Sequence, residues 1–291
     1  MMSKRSSNDR ANNDRACNGR KCVAARSAGS SAALLTVVAA GILLAQTAPP
    51  PITSGYLGAA SAELFPILPP APAIGDARDG SDRAVFRATR SLDGSARWAL
   101  AQSDDNLSVP GLLSGFACSL GAALDSQNAP RLSALLSRVA SDAIVAVARV
   151  KEHYHRKRPF LVDEGPICLP RTGSLLTTFD YPSGHATLGW ATGLLLAEIA
   201  PGRAAVILAR ARAFGDSRVI CGVHSASAVE AGRMAGAALA AELHGSAAFR
   251  ADLERARREF IAVGTRNPPK PESCAAESAV VGLSPDSLPL K

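Results

Sequence analysis

Aromatic residues are scarce in this chain: Phe, Trp and Tyr make up 4% of its 291 residues, against a hydrophobic share of 47%. The apolar set is therefore mostly Ala and Leu, and stretches rich in Ala, Leu and Arg favour helix. No stretch of useful length alternates apolar and polar residues at the period a half-buried strand requires, and there is no internal repeat. The expected fold class is all-α, a single-domain helical bundle. After Ala45 no run of about 18 apolar residues occurs, which excludes a later membrane-spanning helix. No run of Lys and Arg interleaved with aromatics is present, which argues against nucleic-acid binding. No pair of carboxylates has the spacing of a metal site or an acid/base pair.

The net charge of +7 is unevenly spread. Lys4, Arg5, Arg10, Arg15, Arg20, Lys21 and Arg26 against Asp9 and Asp14 give residues 1–48 a charge of +5, leaving +2 for the remainder. This basic stretch precedes the apolar run Ala32 to Ala45, which is short for a spanning helix and about right for the apolar part of an export signal. Residues 1–48 are expected to be that signal. Of the six cysteines, Cys118, Cys168, Cys221 and Cys274 lie beyond it. They form no zinc spacing. In an exported chain they fit two disulfides, with three connectivities open.

Residues 49–80 are rich in Pro, Gly and Ala and read as an extended N-terminal arm. Residues 81–263 read as the all-α domain. The expected helices are Arg83 to Leu100 with Gly94 as its only breaker, Val109 to Leu124, and Leu132 to about Arg158, stopped by Pro159. After a loop from Phe160 to Tyr181 come Ala186 to Ile199, Ala204 to Phe214 closed by Gly215, Ala226 to Leu243, and Ala247 to Val263. Residues 264–291 read as a mobile C-terminal tail.

Three separated blocks carry chemistry. In the first, KEHYHRKRP, Lys151 and Arg158 are seven residues apart, so that on one helix they share a face. In the second, PSGH, Ser183 offers a hydroxyl, Gly184 lets backbone approach a ligand, and His185 titrates near neutrality; free N–H groups at the start of the following helix attract an anion. In the third, SRVICGVH, Arg218 and His224 flank Gly222 in a segment between two helices. Singly, each block has a plain structural reading: a solvated basic face, a helix cap, a structural His. His153, His155 and His244 are placed in that class, and Asp163, Glu164 and Asp180 read as capping or salt-bridging groups. Taken together, Lys151, Arg158 and Arg218 are three cations suited to an oxyanion, and two histidines suit a nucleophile and a proton donor.

The order K-x6-R-P, P-S-G-H, S-R-x5-H resembles the motif set of the type 2 phosphatidic acid phosphatase and vanadium haloperoxidase superfamily. YPSGHATLGWATGLLLAEIAP and SRVICGVH are similar to the class A bacterial nonspecific acid phosphatases, and Tyr56-Leu57 and Leu68 to Pro72 are similar to that family's N-terminal arm. The resemblance spans roughly residues 55–262. It implies an all-α fold, a periplasmic location, no metal or other cofactor, and hydrolysis of phosphate monoesters with an acidic to near-neutral optimum. Small phosphorylated substrates are the implied partners, with membrane contact only through the export segment and homo-oligomerisation left open. By motif position, His224 would be the nucleophile that forms a phosphohistidine and His185 the general acid. Lys151, Arg158, Ser183, Gly184 and Arg218 would hold the phosphoryl oxygens. Rival readings of the same pocket are a phosphotransferase, a vanadate-dependent haloperoxidase, and an oxyanion binder with weak turnover. The last arises because the family places an Asp four residues after the nucleophile, and here that position is Ala228. Glu230, a backbone carbonyl or a water could orient His224 instead; the rotation between positions 228 and 230 on a helix disfavours Glu230.

Overall fold

The computed structural model describes residues 54–58, 63–263, 266–282, 284, 285, 288 and 289. The expected export signal lies outside the described residues, as do residues 49–53 and 59–62 of the expected arm. The helices are α1 (Ala77–Thr89), α2 (Ala96–Ser103), α3 (Val109–Leu120), α4 (Pro130–Tyr154), α5 (Ser174–Thr177), α6 (Gly184–Ile199), α7 (Ala204–Ile220), α8 (Ala226–Leu243), α9 (Ala247–Val263) and α10 (Pro271–Val281). Among the described residues there is no strand, and no helix is long and apolar enough to cross a membrane.

Helix α6 is the axis of the bundle. It lies between α7 and α8, with α4 also against it. Eleven of its sixteen residues are buried, which explains why its sequence is apolar all round rather than striped. Its neighbours come close because their contact residues are small. A Cβ added at Gly232 of α8 would stand 2.6 Å from the Ser183 carbonyl oxygen. Helix α8 therefore presses its backbone against the PSGH segment, and Ser183 N–H donates to the Ala228 carbonyl at 2.9 Å.

Several boundaries differ from those read in the sequence, each for a local reason. Helix α4 stops at Tyr154 and not near Arg158, with His155 in the left-handed region at φ 47°. Arg158 precedes Pro159, whose ring disfavours helical geometry at the preceding residue, and it is extended (φ −67°, ψ 149°). Lys151 and Arg158 thus do not share a helix face. Gly215 does not close α7, which continues to Ile220 and carries Arg218 inside the helix. There the glycine admits close contact with Val229 and Arg233 of α8, and packing outweighs a propensity cost of about 1 kcal/mol. Gly94, at φ 74°, separates α1 from α2.

The described part of the arm is held to the bundle. Tyr56 and Leu57 N–H donate to the Asp142 carboxylate at 2.7 and 3.2 Å, and the Tyr56 hydroxyl donates to Asp252 at 2.8 Å. Leu64 and Leu68 are buried with Tyr181, Ala146, Val150 and Ala228. In the stretch expected as a tail, residues 271–281 form α10, and Cys274 is bonded to Cys118 of α3. The second disulfide joins Cys168 to Cys221. Both connect elements far apart in sequence, in one of the three connectivities left open.

Candidate active site

The turn after α7 delivers His224. Val223 and His224 N–H groups both donate to the Arg218 carbonyl, at 3.1 and 3.2 Å, and Gly222 turns the chain with φ 79°. A side chain at Gly222 would also meet the Arg90 guanidinium at 2.5 Å. That guanidinium donates to the Val219 and Ile220 carbonyls and so caps the end of α7. The Cys168–Cys221 bond ties this turn to the loop at Leu169 to Thr172.

A cavity of about 340 Å³ lies over this turn, lined by Arg158, His185 and His224, by Asp105 and Thr172, and by apolar side chains including Leu107, Leu169, Leu175 and Val223. Arg158 is buried. It donates to the Val223 carbonyl at 2.6 Å, to the Thr178 hydroxyl at 2.9 Å, and lies 3.0 Å from Nε2 of His224. An arginine has donors only, so Nε2 must accept, and the His224 proton sits on Nδ1. Nδ1 in turn lies 2.8 Å from the Asp180 backbone carbonyl and 3.0 Å from its carboxylate. The imidazole thus presents an unprotonated nitrogen on the Arg158 side. Burial, then Arg158, Lys151, His185 and Arg218, hold its pKa well below the usual imidazole range.

His185 is the second residue of α6, where Ser183 caps the helix by accepting from Ala186 N–H at 3.3 Å. Its Nε2 meets the Asp105 carbonyl at 3.0 Å and the Asp105 carboxylate at 3.3 Å. Both are acceptors, so this nitrogen carries a proton. Burial lowers its pKa, and the hydrogen bond it donates to Asp105 pulls the other way. Arg218 is fully buried. It pairs with Asp105 at 2.8 Å and with the Ala101 carbonyl, and its Nε–H has no partner among the described residues. Lys151 donates to the Phe179 carbonyl, and burial beside Arg158 lowers its pKa to about 8.

The structure therefore brings His185, His224 and Arg158 to one cavity wall. Lys151, Ser183, Gly184 and Arg218 do not line that cavity, although Arg218 reaches its Asp105 and Ser183 and Gly184 set the helix that carries His185. Glu230 points elsewhere: it is exposed and pairs with Arg233. Reading the sequence alone left out Asp105 and gave Asp180 no part in the site. Both sit in loops, where no periodicity marks a facing side chain, and each meets its histidine across dozens of residues of chain.

Two predictions arise here. Ala228 is fully buried among Leu64, Leu68, Tyr181 and neighbouring alanines. With Nδ1 of His224 already occupied, Ala228→Asp would bury a charge without a partner and should lower stability by about 3 kcal/mol or more, read as a fall in Tm without a gain in turnover. Lys151 carries its charge below pH about 8 and loses it above. The inhibition constant for phosphate should therefore rise as pH passes through about 8, and Lys151→Arg should flatten that rise.

Residues 131–251 match the PAP2 superfamily. An acid phosphatase of Zymomonas mobilis is 42% identical over 194 residues, covering 66% of this chain and 74% of that protein. A non-specific acid phosphatase of Providencia stuartii is 35% identical over 196 residues, 67% of this chain and 79% of that protein. One of Salmonella typhimurium is 34% identical over 195 residues, 66% and 78% respectively.

Proposed function

The chain belongs to the PAP2 superfamily, and we propose that it is an acid phosphatase that hydrolyses phosphate monoesters through a phosphorylated His224, without a metal ion. The reading is carried by one observation above all. Nε2 of His224 is the unprotonated nitrogen, and it stands beside a buried arginine at the wall of a cavity that a second histidine shares.

In the first step Nε2 attacks phosphorus, a P–N bond forms, and the P–O bond to the leaving group breaks. His185, as imidazolium, gives that oxygen a proton. In the second step neutral His185 takes a proton from water, water attacks the phosphorus of phosphohistidine, and the P–N bond breaks to release phosphate. Arg158 at the cavity wall meets the phosphoryl oxygens, and Arg218 and Lys151, set behind that wall, add positive charge to the site; phosphoryl transfer depends more on such placement and neutralisation than on covalent help. The acidic working range follows from the two histidines. Burial and the surrounding cations hold His224 well below the usual imidazole range, which favours the neutral nucleophile; burial lowers His185 too, but its hydrogen bond to Asp105 opposes that and favours the protonated acid. The apolar cavity walls offer the leaving group contact area with few fixed polar demands, which supports broad specificity toward small phosphorylated substrates.

We read residues 1–48 as an export signal and the periplasm as the destination, a compartment in which the Cys118–Cys274 and Cys168–Cys221 bonds persist. The test of the whole reading is hydrolysis of a chromogenic phosphomonoester at mildly acid pH with excess chelator. Full activity is expected. Loss of activity with chelator, restored by a divalent ion, would contradict the metal-free mechanism.

A further inference from the structure

We propose that Asp180 supplies to His224 the carboxylate that position 228 lacks, and that Arg156 holds it there as a second positioning residue. The proposal rests on the reading of His224 as nucleophile. Asp180 is completely buried. One carboxylate oxygen lies 3.0 Å from Nδ1 of His224 and accepts from Ser225 N–H at 3.0 Å. The other accepts from the Ser225 hydroxyl at 2.6 Å and from Arg156 at 3.2 Å. The Asp180 backbone N–H donates to the Arg156 carbonyl at 2.8 Å, so Arg156 fixes both the main chain and the side chain of this residue. Arg156 is itself pinned by Asp82 at 2.8 Å and Asp79 at 3.2 Å, both on α1, and by the Ser225 and Ser227 hydroxyls.

Two consequences follow from this arrangement. The first is a division of labour. The Asp180 carbonyl, at 2.8 Å, is enough by itself to keep the proton on Nδ1. The carboxylate adds what a carbonyl cannot, a full negative charge behind a ring that becomes cationic when phosphorus bonds to Nε2. The charged groups that act most strongly on this ring are Arg158 after α4, Lys151 on α4, His185 on α6 and Arg218 on α7, and all of them oppose that positive charge; the Asp105 carboxylate lines the same cavity but is engaged by His185 and Arg218. Asp180 is the carboxylate in contact with Nδ1. The second consequence is spatial. Asp180, Arg156, Asp79 and Asp82 border a separate cavity of about 560 Å³ and do not line the one that holds His185. Changing Asp180 or Arg156 should therefore alter the chemistry at His224 more than the grip on phosphate.

The experiment uses the full-length enzyme with Asp180→Asn and Arg156→Gln, an aryl phosphomonoester, and phosphate as competitive inhibitor. Asp180→Asn should lower kcat by about 10²-fold, with KM and the phosphate inhibition constant within about threefold of wild type. The loss should be smaller than the roughly 10⁴-fold seen where removing a carboxylate also spoils the tautomer, because here the backbone carbonyl remains. The acid limb of kcat/KM reports the protonation of His224. It should move to lower pH in Asp180→Asn, which removes a negative charge, and to higher pH in Arg156→Gln, which leaves Asp180 less neutralised. A merely structural role would not move the limb in opposite directions. Wild-type kcat with an unmoved limb in both variants would overturn the proposal, as would equal losses in kcat and in phosphate binding. If His224→Ala retains activity, the nucleophile reading has failed instead. Should Asp180→Asn fail to fold, Arg156→Gln alone decides by the direction of its shift.

Discussion

His224→Ala is expected to lower kcat for an aryl phosphomonoester by roughly 10⁴- to 10⁶-fold, the scale on which removing a nucleophile collapses a catalytic unit. Phosphate should still bind. Arg158 has three other anchors, the Thr178 carbonyl and hydroxyl and the Val223 carbonyl, and does not depend on the imidazole for its position. Arg218 is held by Asp105 and Ala101. Calorimetry with inorganic phosphate on the inactive variant should therefore give a dissociation constant near that of wild type. Substantial turnover in the variant would remove His224 from the chemistry. Loss of phosphate binding along with turnover would show that the imidazole is part of the oxyanion site.

His185→Ala should produce the second large effect, and it should depend on the substrate. An alkyl alkoxide is a poor leaving group and needs a proton as the P–O bond breaks, whereas a nitrophenolate leaves unaided. The variant should lose about 10²- to 10⁴-fold in kcat/KM on an alkyl phosphate and far less on a nitrophenyl phosphate. Comparable losses on the two would mean that His185 serves position or charge and not proton transfer. The Asp105 contact adds a corollary: its carboxylate sits on His185 and on Arg218 at once, so a bound phosphoryl group competes with it for both.

Much of the helical framework was legible in the chain, because α3, α4, α6, α8 and α9 follow apolar runs bounded by Pro, Gly or Ser. The errors came where packing or one covalent constraint overrode local pattern. Gly215 looks like a stop signal, yet α8 packs so closely that a Cβ there would stand 3.3 Å from Val229 and Arg233, and the helix runs on to carry Arg218. Arg158 looks like a continuation of α4, yet Pro159 denies it helical geometry, and the extended backbone sends its guanidinium to Thr178, Val223 and His224. The three motifs named His185, His224 and the cations, because residue types suited to an oxyanion stand there in the order that resembles the family's motif set. Their relative positions were not readable. Of the two orienting groups, a backbone carbonyl was anticipated; the carboxylate was not. Asp180 stands two residues before the PSGH block in a loop rich in Thr and Phe, where an Asp reads as a cap or a surface ion pair. Its burial, and its meeting with His224 across 44 residues, depend on α6 and α8 lying backbone to backbone.

The most direct measurement is to stop the wild-type enzyme during turnover with alkaline denaturant, which preserves a P–N bond, and to map the phosphorylated peptide by mass spectrometry. A phosphohistidine mechanism predicts one phosphoryl group on His224, absent from His224→Ala and accumulating to a different extent in His185→Ala, where hydrolysis of the intermediate loses its base. Full turnover with no phosphoryl group on His224 at any time point would contradict it.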